Sequence, residues 1–292
     1  MAPMRILITD CGPPGGLLAL RLTGAGHEVS LEFSDASKPP DVAIVAVSRS
    51  GDLDRVRELR GTLPGVQLLA LTRIALPEIA DVEDLGITLM FPGFSKGLPG
   101  YGPQQRSTPL GLPGTVAGPL VGRPRAIDRW FVGLLRSAGI RASSRADMQA
   151  WLTVTSAWLS SLRGAILAAA RQGLTLDTTP DLITVAARAV RERLRLLRAA
   201  HFPLDAGCFC LLSLPESWAI ATVREIAENV RDVGNLPCVP SPEEAVGVSE
   251  QLKVLTREQG VKMPAADFLD GFIRGETEIS CVVSCGSRRS WP

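Results

Sequence analysis

Asp10, Gly12, Pro13 and Gly15 fall in the string DCGPPG (10–15), directly after the apolar residues Ile6, Leu7 and Ile8, and their spacing is that of a turn built to cradle a phosphate. In a G-x-G-x-x-G turn the first glycine makes the tight bend, the second lets the backbone approach a pyrophosphate, and the third lets the helix pack on the strand. Gly12 and Gly15 keep the second and third roles. Asp10 takes the first, and its carboxylate falls where an anionic ligand would meet the helix N-terminus. Pro13 and Pro14 suit a helix start sterically, yet each removes an N–H that could hold a phosphate. The motif predicts a dinucleotide-binding fold with a weakened anion site, and a bare strand-to-helix turn is its alternative reading. The two histidines, His27 and His201, are expected in a turn and at a helix end, neither placed as a base. Six cysteines contain no C-x-x-C pair, so no metal site is expected; they read as thiols of a reducing compartment.

The elements that must position this turn follow from periodicity. After it comes a helix with Leu17, Leu18, Leu20 and Leu22 as its apolar face, then strands at 29–33 and 42–47. The second of these, VAIVAV, is a continuous apolar run suited to a parallel sheet buried on both faces. A helix over 52–63 and strands at 66–71 and 86–91 complete an alternating pattern, and the Gly- and Pro-rich stretch 91–124 predicts loop and short extended pieces. From Ala126 the spacing turns helical, over 126–137, 146–172, 180–201, 214–230, 242–259 and 264–274. The expected fold is α/β: an N-terminal Rossmann-like, doubly wound parallel sheet (1–125), an all-helical C-terminal domain (126–275) and a flexible tail (276–292). Trp151, Trp158 and Trp218 are expected in the core. Arg188, Arg191, Arg193, Arg195 and Arg198 read as a solvated face, with a homodimer edge as the alternative.

Composition narrows the partners. With 292 residues and 46% hydrophobic content the chain can bury a large core, and a net charge of +1 argues against nucleic acid or a membrane surface recruited by bulk electrostatics. No apolar run suits a secretory signal or a bilayer span, so a cytoplasmic protein with a small-molecule substrate is the expectation.

The strings RILITDCGPPGGLLALRLTGAGHEVSL, DVAIVAVSRSGDL, FPGFSKG, STPLG, RADMQAWL and REQGVKMPAADFL, in this order, resemble the ketopantoate reductase family over about 4–274. The resemblance implies an NADP-dependent reductase with its active site between a Rossmann domain and a helical domain. It also implies a lysine two residues after Trp151, to donate a proton to the substrate carbonyl, where this chain has Thr153. A histidine of one branch of the family falls on Thr155. The family's Gln-Asn-Gly after the fourth core strand corresponds to Thr72, Arg73 and Ile74, so Arg73 becomes a candidate substrate contact, with Trp151 beside the lost lysine as another. A family lysine at the end of the VAIVAV strand corresponds to Ser48, and Arg49 next to it could carry the charge. Glu244 matches a family carboxylate near the substrate. Where an arginine would pair with a 2′-phosphate stand Glu32, Phe33 and Ser34; Glu32 suits a ribose 2′-hydroxyl, which favours NAD over NADP if either binds.

Departures on both sides of one cleft point to a site reassigned to non-redox catalysis, such as cyclisation or isomerisation of a specialised metabolite. Asp10 and Glu244 would then act as acid or base and Thr153 and Thr155 as neutral hydrogen-bonding groups. The alternative is an NAD(P)-dependent reductase of a 2-keto or related carbonyl compound; a second is a non-catalytic ligand-binding or partner protein. The threonines could instead bond back to the preceding helical turn, and Glu244 could serve its helix N-terminus.

Overall fold

The computed structural model describes residues 2–9, 12–31, 39–48, 51–75, 85–93, 114–229 and 239–276. Asp10, Glu32 and Arg49, most of the loop expected over 91–124, and the tail after 276 lie outside them.

Strands β1 (Arg5–Thr9), β2 (Glu28–Ser30), β3 (Val42–Ala46), β4 (Gln67–Leu71), β5 (Thr88–Phe91), β6 (Thr115–Gly118) and β7 (Ala142–Ser144) form one sheet in the order β2-β1-β3-β4-β5-β6-β7. All neighbours are parallel except β5 and β6. Ile44, Val45 and their neighbours in β3 are buried, as a central strand covered on both faces requires. One face carries α1 (Gly12–Gly24) and α3 (Ala126–Ser137) over Ile6, Ile8, Ile44 and Leu69. The other carries α2 (Asp52–Thr62) and the helix-rich region over Leu7, Val45, Leu89 and Phe91.

Two differences from the sequence reading concern where the sheet stops. Thr115–Gly118 and Ala142–Ser144 are strands, and α3, expected to open the helical part, packs on β6 and β7. The C-terminal helix-rich region is α4 (Met148–Ala170), α5 (Pro180–Ala199), α6 (Ala206–Ser213), α7 (Glu216–Asn229), α8 (Pro242–Gln259) and α9 (Pro264–Arg274). Gly118 ends β6 where a Cβ would stand 1.9 Å from the Arg145 carbonyl oxygen, so no other residue fits there. In α1 Leu18 and Leu22, one turn apart, are buried, whereas Leu20 lies on the opposite side and is 70% exposed.

Helix α4 is the spine of the second half. It packs on α5, α8 and α9, and Gly164 lets α9 approach until a Cβ would be 2.9 Å from that of Leu269. The arginine face of α5 is not uniformly solvated. Arg193 is fully buried, its guanidinium paired with Asp270 of α9 and bonded to Ser160, with Nη1 donating to the Ala157 carbonyl at 2.8 Å. Arg188 stays at the surface with Glu216. Trp158 is buried, but Trp218, expected in the core, is 54% exposed in the first turns of α7. No helix among the described residues is long and apolar enough to cross a membrane.

Candidate functional site

Strand β4 ends at Leu71 and the chain bends through Thr72, Arg73 and Ile74, carrying the Arg73 side chain toward the start of α8. Helix α8 begins with a capping box: the Glu244 N–H donates to Ser241 Oγ at 3.2 Å, and the Ser241 N–H donates to Glu244 Oε2 at 2.6 Å. Arg73 closes on the same carboxylate from the sheet side, Nε to Oε1 at 3.1 Å and Nη2 to Oε2 at 2.8 Å. Two residues read separately from sequence, 171 positions apart, thus meet in a forked ion pair that ties the sheet to α8. Both Glu244 oxygens are engaged.

The sequence reading missed a third member. Arg163 of α4 is buried, and its Nε donates to the Pro240 carbonyl at 2.6 Å. Burial lowers its pKa, as does the nearby Arg73 guanidinium, while Glu244 and Glu243 act to raise it. The Glu243 carboxyl, hydrogen-bonded at the helix start, is held below the ordinary glutamate value. Two guanidiniums and two carboxylates therefore balance at this end of α8. The only sequence signal for Arg163 was a charge inside an otherwise apolar helical stretch, and that does not reveal a partner.

Beside this cluster lies a cleft of about 580 Å³ between the two halves. Ala75, past β4, and Leu120 and Val121, past β6, form one wall; α4, α8 and the Phe202–Pro203 turn form the other. Asp147, with φ of 47°, sets the entry to α4: its Oδ1 accepts from the Gly122 N–H at 2.6 Å, and its own N–H donates to the Gly122 carbonyl at 3.1 Å. That junction brings Gln149 and Thr153 to the cleft wall; Ser156 also lines it, but is 2% exposed and its hydroxyl donates to the Thr153 carbonyl at 3.4 Å. Gln251 faces them from α8, its amide donating to the Ala75 carbonyl at 3.3 Å.

The remaining candidate residues are dispersed. Thr153 lines the cleft, and its hydroxyl donates to the Gln149 carbonyl at 2.9 Å, the back-bond weighed against a binding role. Thr155 is buried in α4. Trp151 is also buried, edge-on to Phe91 with ring centres 5.1 Å apart and with Arg145 stacked 5.5 Å from its ring, so it supports the wall from behind. Ser48 donates through its N–H and its hydroxyl to Asp52 Oδ2, at 2.8 and 2.9 Å, and so fixes the β3–α2 turn.

The dinucleotide turn lies at the carboxyl end of β1, where the strand order reverses between β1 and β3. Helix α1 starts at Gly12, with no acidic residue in its first turn. Gly12 opens the helix with its N–H outside the α1 ladder, the Gly15 and Gly16 N–H groups donate within that ladder, and at Gly16 a Cβ would meet nothing within 4 Å, which leaves room for a ligand's approach. These residues leave a pyrophosphate room and one free donor among the described residues, since Pro13 and Pro14 carry no N–H. Among the described residues no group of three or more His, Cys, Asp or Glu is placed to hold a metal ion.

No protein-family model and no curated protein matches the sequence. Solved structures do match its shape. A protein described as a ketopantoate reductase from Ralstonia solanacearum MolK2 is 16% identical with a TM-score of 0.64, over 94% of this chain and 98% of that one. D-mandelate dehydrogenase, in a ternary structure with NADH and anilino(oxo)acetate, is 12% identical with a TM-score of 0.63 over the same shares, 94% and 98%. The chain has the fold of these reductases. The 2-dehydropantoate 2-reductase from Methylococcus capsulatus, 13% identical with a TM-score of 0.59 over 92% of this chain and 96% of that one, has it too. At such identities the likeness establishes the fold and leaves the chemistry to the site.

Proposed function

We propose that the chain is a nicotinamide-dependent reductase of a small carbonyl compound. The observation that carries the reading is the cleft of about 580 Å³ between the sheet half and helices α4 and α8, lined by Gln149, Thr153 and Ser156, in a fold shared with D-mandelate dehydrogenase. Gly12 at the N-terminus of α1 would donate its N–H to the pyrophosphate, and Gly15 and Gly16, without side chains, would let it approach the helix end. Bound there, NADH would supply the hydride. NADH is favoured over NADPH because the sequence carries Glu32 about twenty residues beyond the turn, the position at which a carboxylate suits a ribose 2′-hydroxyl and disfavours a phosphate.

What this chain adds is orientation and neutral hydrogen bonding. Gln149 and Gln251 amides can donate to the oxygen that becomes negative as the carbonyl is reduced. The Thr153 hydroxyl directs its proton to the Gln149 carbonyl and so presents lone pairs in place of a charged acid. The final proton then comes from water. Turnover should accordingly be slow compared with an enzyme that places an ammonium group there. Arg73 and Glu244 act by fixing α8 against the sheet.

One observation favours a second reading, non-redox catalysis in the same cleft. Among the described residues the charged side chains of its lining, Asp147 and Glu258, are carboxylates suited to moving protons without a hydride. NADH consumption over a panel of ketones, 2-oxo esters and 2-oxo acids separates the two. The reductase reading expects stoichiometric alcohol and oxidised dinucleotide, and conversion of a substrate with no dinucleotide present would reject it.

A further inference from the structure

We propose that the cleft takes carbonyl compounds bearing a bulky apolar group and no carboxylate, such as 2-oxo amides, 2-oxo esters or aryl ketones, in preference to free 2-oxo acids. The inference rests on the reductase reading and names the substrate class of that site.

Size and wall chemistry come first. About 580 Å³ accommodates a molecule of ring size with substituents. Leu120, Val121, Val248, Leu252, Val254 and Leu255 make the walls largely apolar, and Val121 and Val254 are 55% and 52% exposed. A ligand that covers those two residues removes apolar surface from water and gains affinity by doing so. The Gln149 and Gln251 amides and the acceptor lone pairs of Thr153 supply neutral donors and acceptors enough to orient a carbonyl and an amide or ester beside it.

Charge then decides between an acid and its neutral analogue. Among the described residues, the charged side chains that line the cleft are Asp147 on the α4 side and Glu258 on α8, both carboxylates. The nearest buried cations are already engaged. Arg73 grips both oxygens of Glu244, and Arg163 is bonded to the Pro240 carbonyl and faces Glu243 and Glu244. A substrate carboxylate would either have to displace Glu244 from its ion pair, stranding a buried carboxylate, or sit unpaired among like charges. An amide or ester of the same shape does neither and exchanges hydrogen bonds with water for hydrogen bonds with the glutamines.

The test compares phenylglyoxylamide with phenylglyoxylate, which share the aryl ketone and differ in charge, by calorimetric titration of the full chain with and without NADH. The proposal expects the amide to bind about three- to tenfold more tightly, the effect of like charges near a solvent-facing site. Glu258→Lys, on the exposed last turn of α8, should narrow that gap about three- to tenfold by raising the affinity for the acid, at unchanged melting temperature. Equal or tighter binding of the acid, no binding of either compound at millimolar concentration, or no response to Glu258→Lys would overturn it. Failure of the reductase reading looks different: the amide is still preferred, yet neither compound is reduced.

Discussion

Removing the Arg73 guanidinium should destabilise the protein by about 2–3 kcal/mol. The figure follows from geometry. The Glu244 side chain is 3% exposed and that of Arg73 23%, so Arg73→Ala leaves a buried carboxylate that has lost two of its three hydrogen bonds. Loss of one partner of a fully buried pair costs about 3–5 kcal/mol. Here the Ser241 N–H remains at 2.6 Å, Arg163 lies close, and Arg73 itself is partly in water, which places the loss at the lower end. In a chain of this size each kcal/mol lowers the melting temperature by about 2–4 °C, so a drop of about 5–10 °C is expected. Urea unfolding of the parent, Arg73→Ala, Glu244→Gln and the double variant measures both the loss and the coupling between the two residues. Destabilisation by Arg73→Ala of less than about 0.5 kcal/mol, with effects that simply add, would refute the clasp.

Four further outcomes follow from the same structure. Thr153→Lys should raise carbonyl turnover about ten- to hundredfold by placing a cation beside the developing oxyanion, as read from NADH consumption; unchanged turnover would mean that Thr153 does not face the reacting group. Asp270→Asn should cost about 3–5 kcal/mol in urea unfolding by stranding the buried Arg193 guanidinium, and the double variant Arg193→Met with Asp270→Leu should recover most of it; a loss under about 1 kcal/mol would contradict the burial. Burial alone would raise the Asp128 pKa, but hydrogen bonds from Arg125 and Thr88 and the Arg125 charge prevail and hold it below the ordinary value. Its stabilisation is therefore present above the unfolded pKa, about 3.9, and lost as pH falls through the folded one, so Asp128→Asn should flatten the acid limb of the stability curve below about pH 4. Burial and the neighbouring Asp205 push the Cys208 thiol well above its usual pKa, while Cys210 is exposed, so alkylation mapped by mass should mark Cys210 in the folded chain and Cys208 only after unfolding.

The sequence made the alternating sheet legible because VAIVAV and its neighbours are continuous apolar runs, and the long helices because their spacing is regular. Strand β6 falls in the stretch 91–124 read as loop and short extended pieces, but its place in the sheet, and β7 altogether, escaped for physical reasons. TVAG sits in a Gly- and Pro-rich stretch, and ASS is three small residues whose pairing with β6 is decided by tertiary contact. Helix α6, AGCFCLLS, is apolar almost throughout and shows little periodicity; Asp205, which accepts from the Cys208 N–H at 2.9 Å, sets its start. At the site, Arg73 and Glu244 were both singled out, but as a substrate contact and an acid or base. Their mutual pairing depends on β4 and α8 meeting, and no local pattern records that. Arg193 was read as solvated for the same reason, since its partner Asp270 lies 77 positions away.

The reductase reading is tested most directly by titrating the full chain with NADH and with NADPH while recording heat and tryptophan fluorescence. It predicts saturable, one-to-one binding of NADH at submillimolar concentration and weaker binding of NADPH. No response to either dinucleotide at millimolar concentration would contradict it.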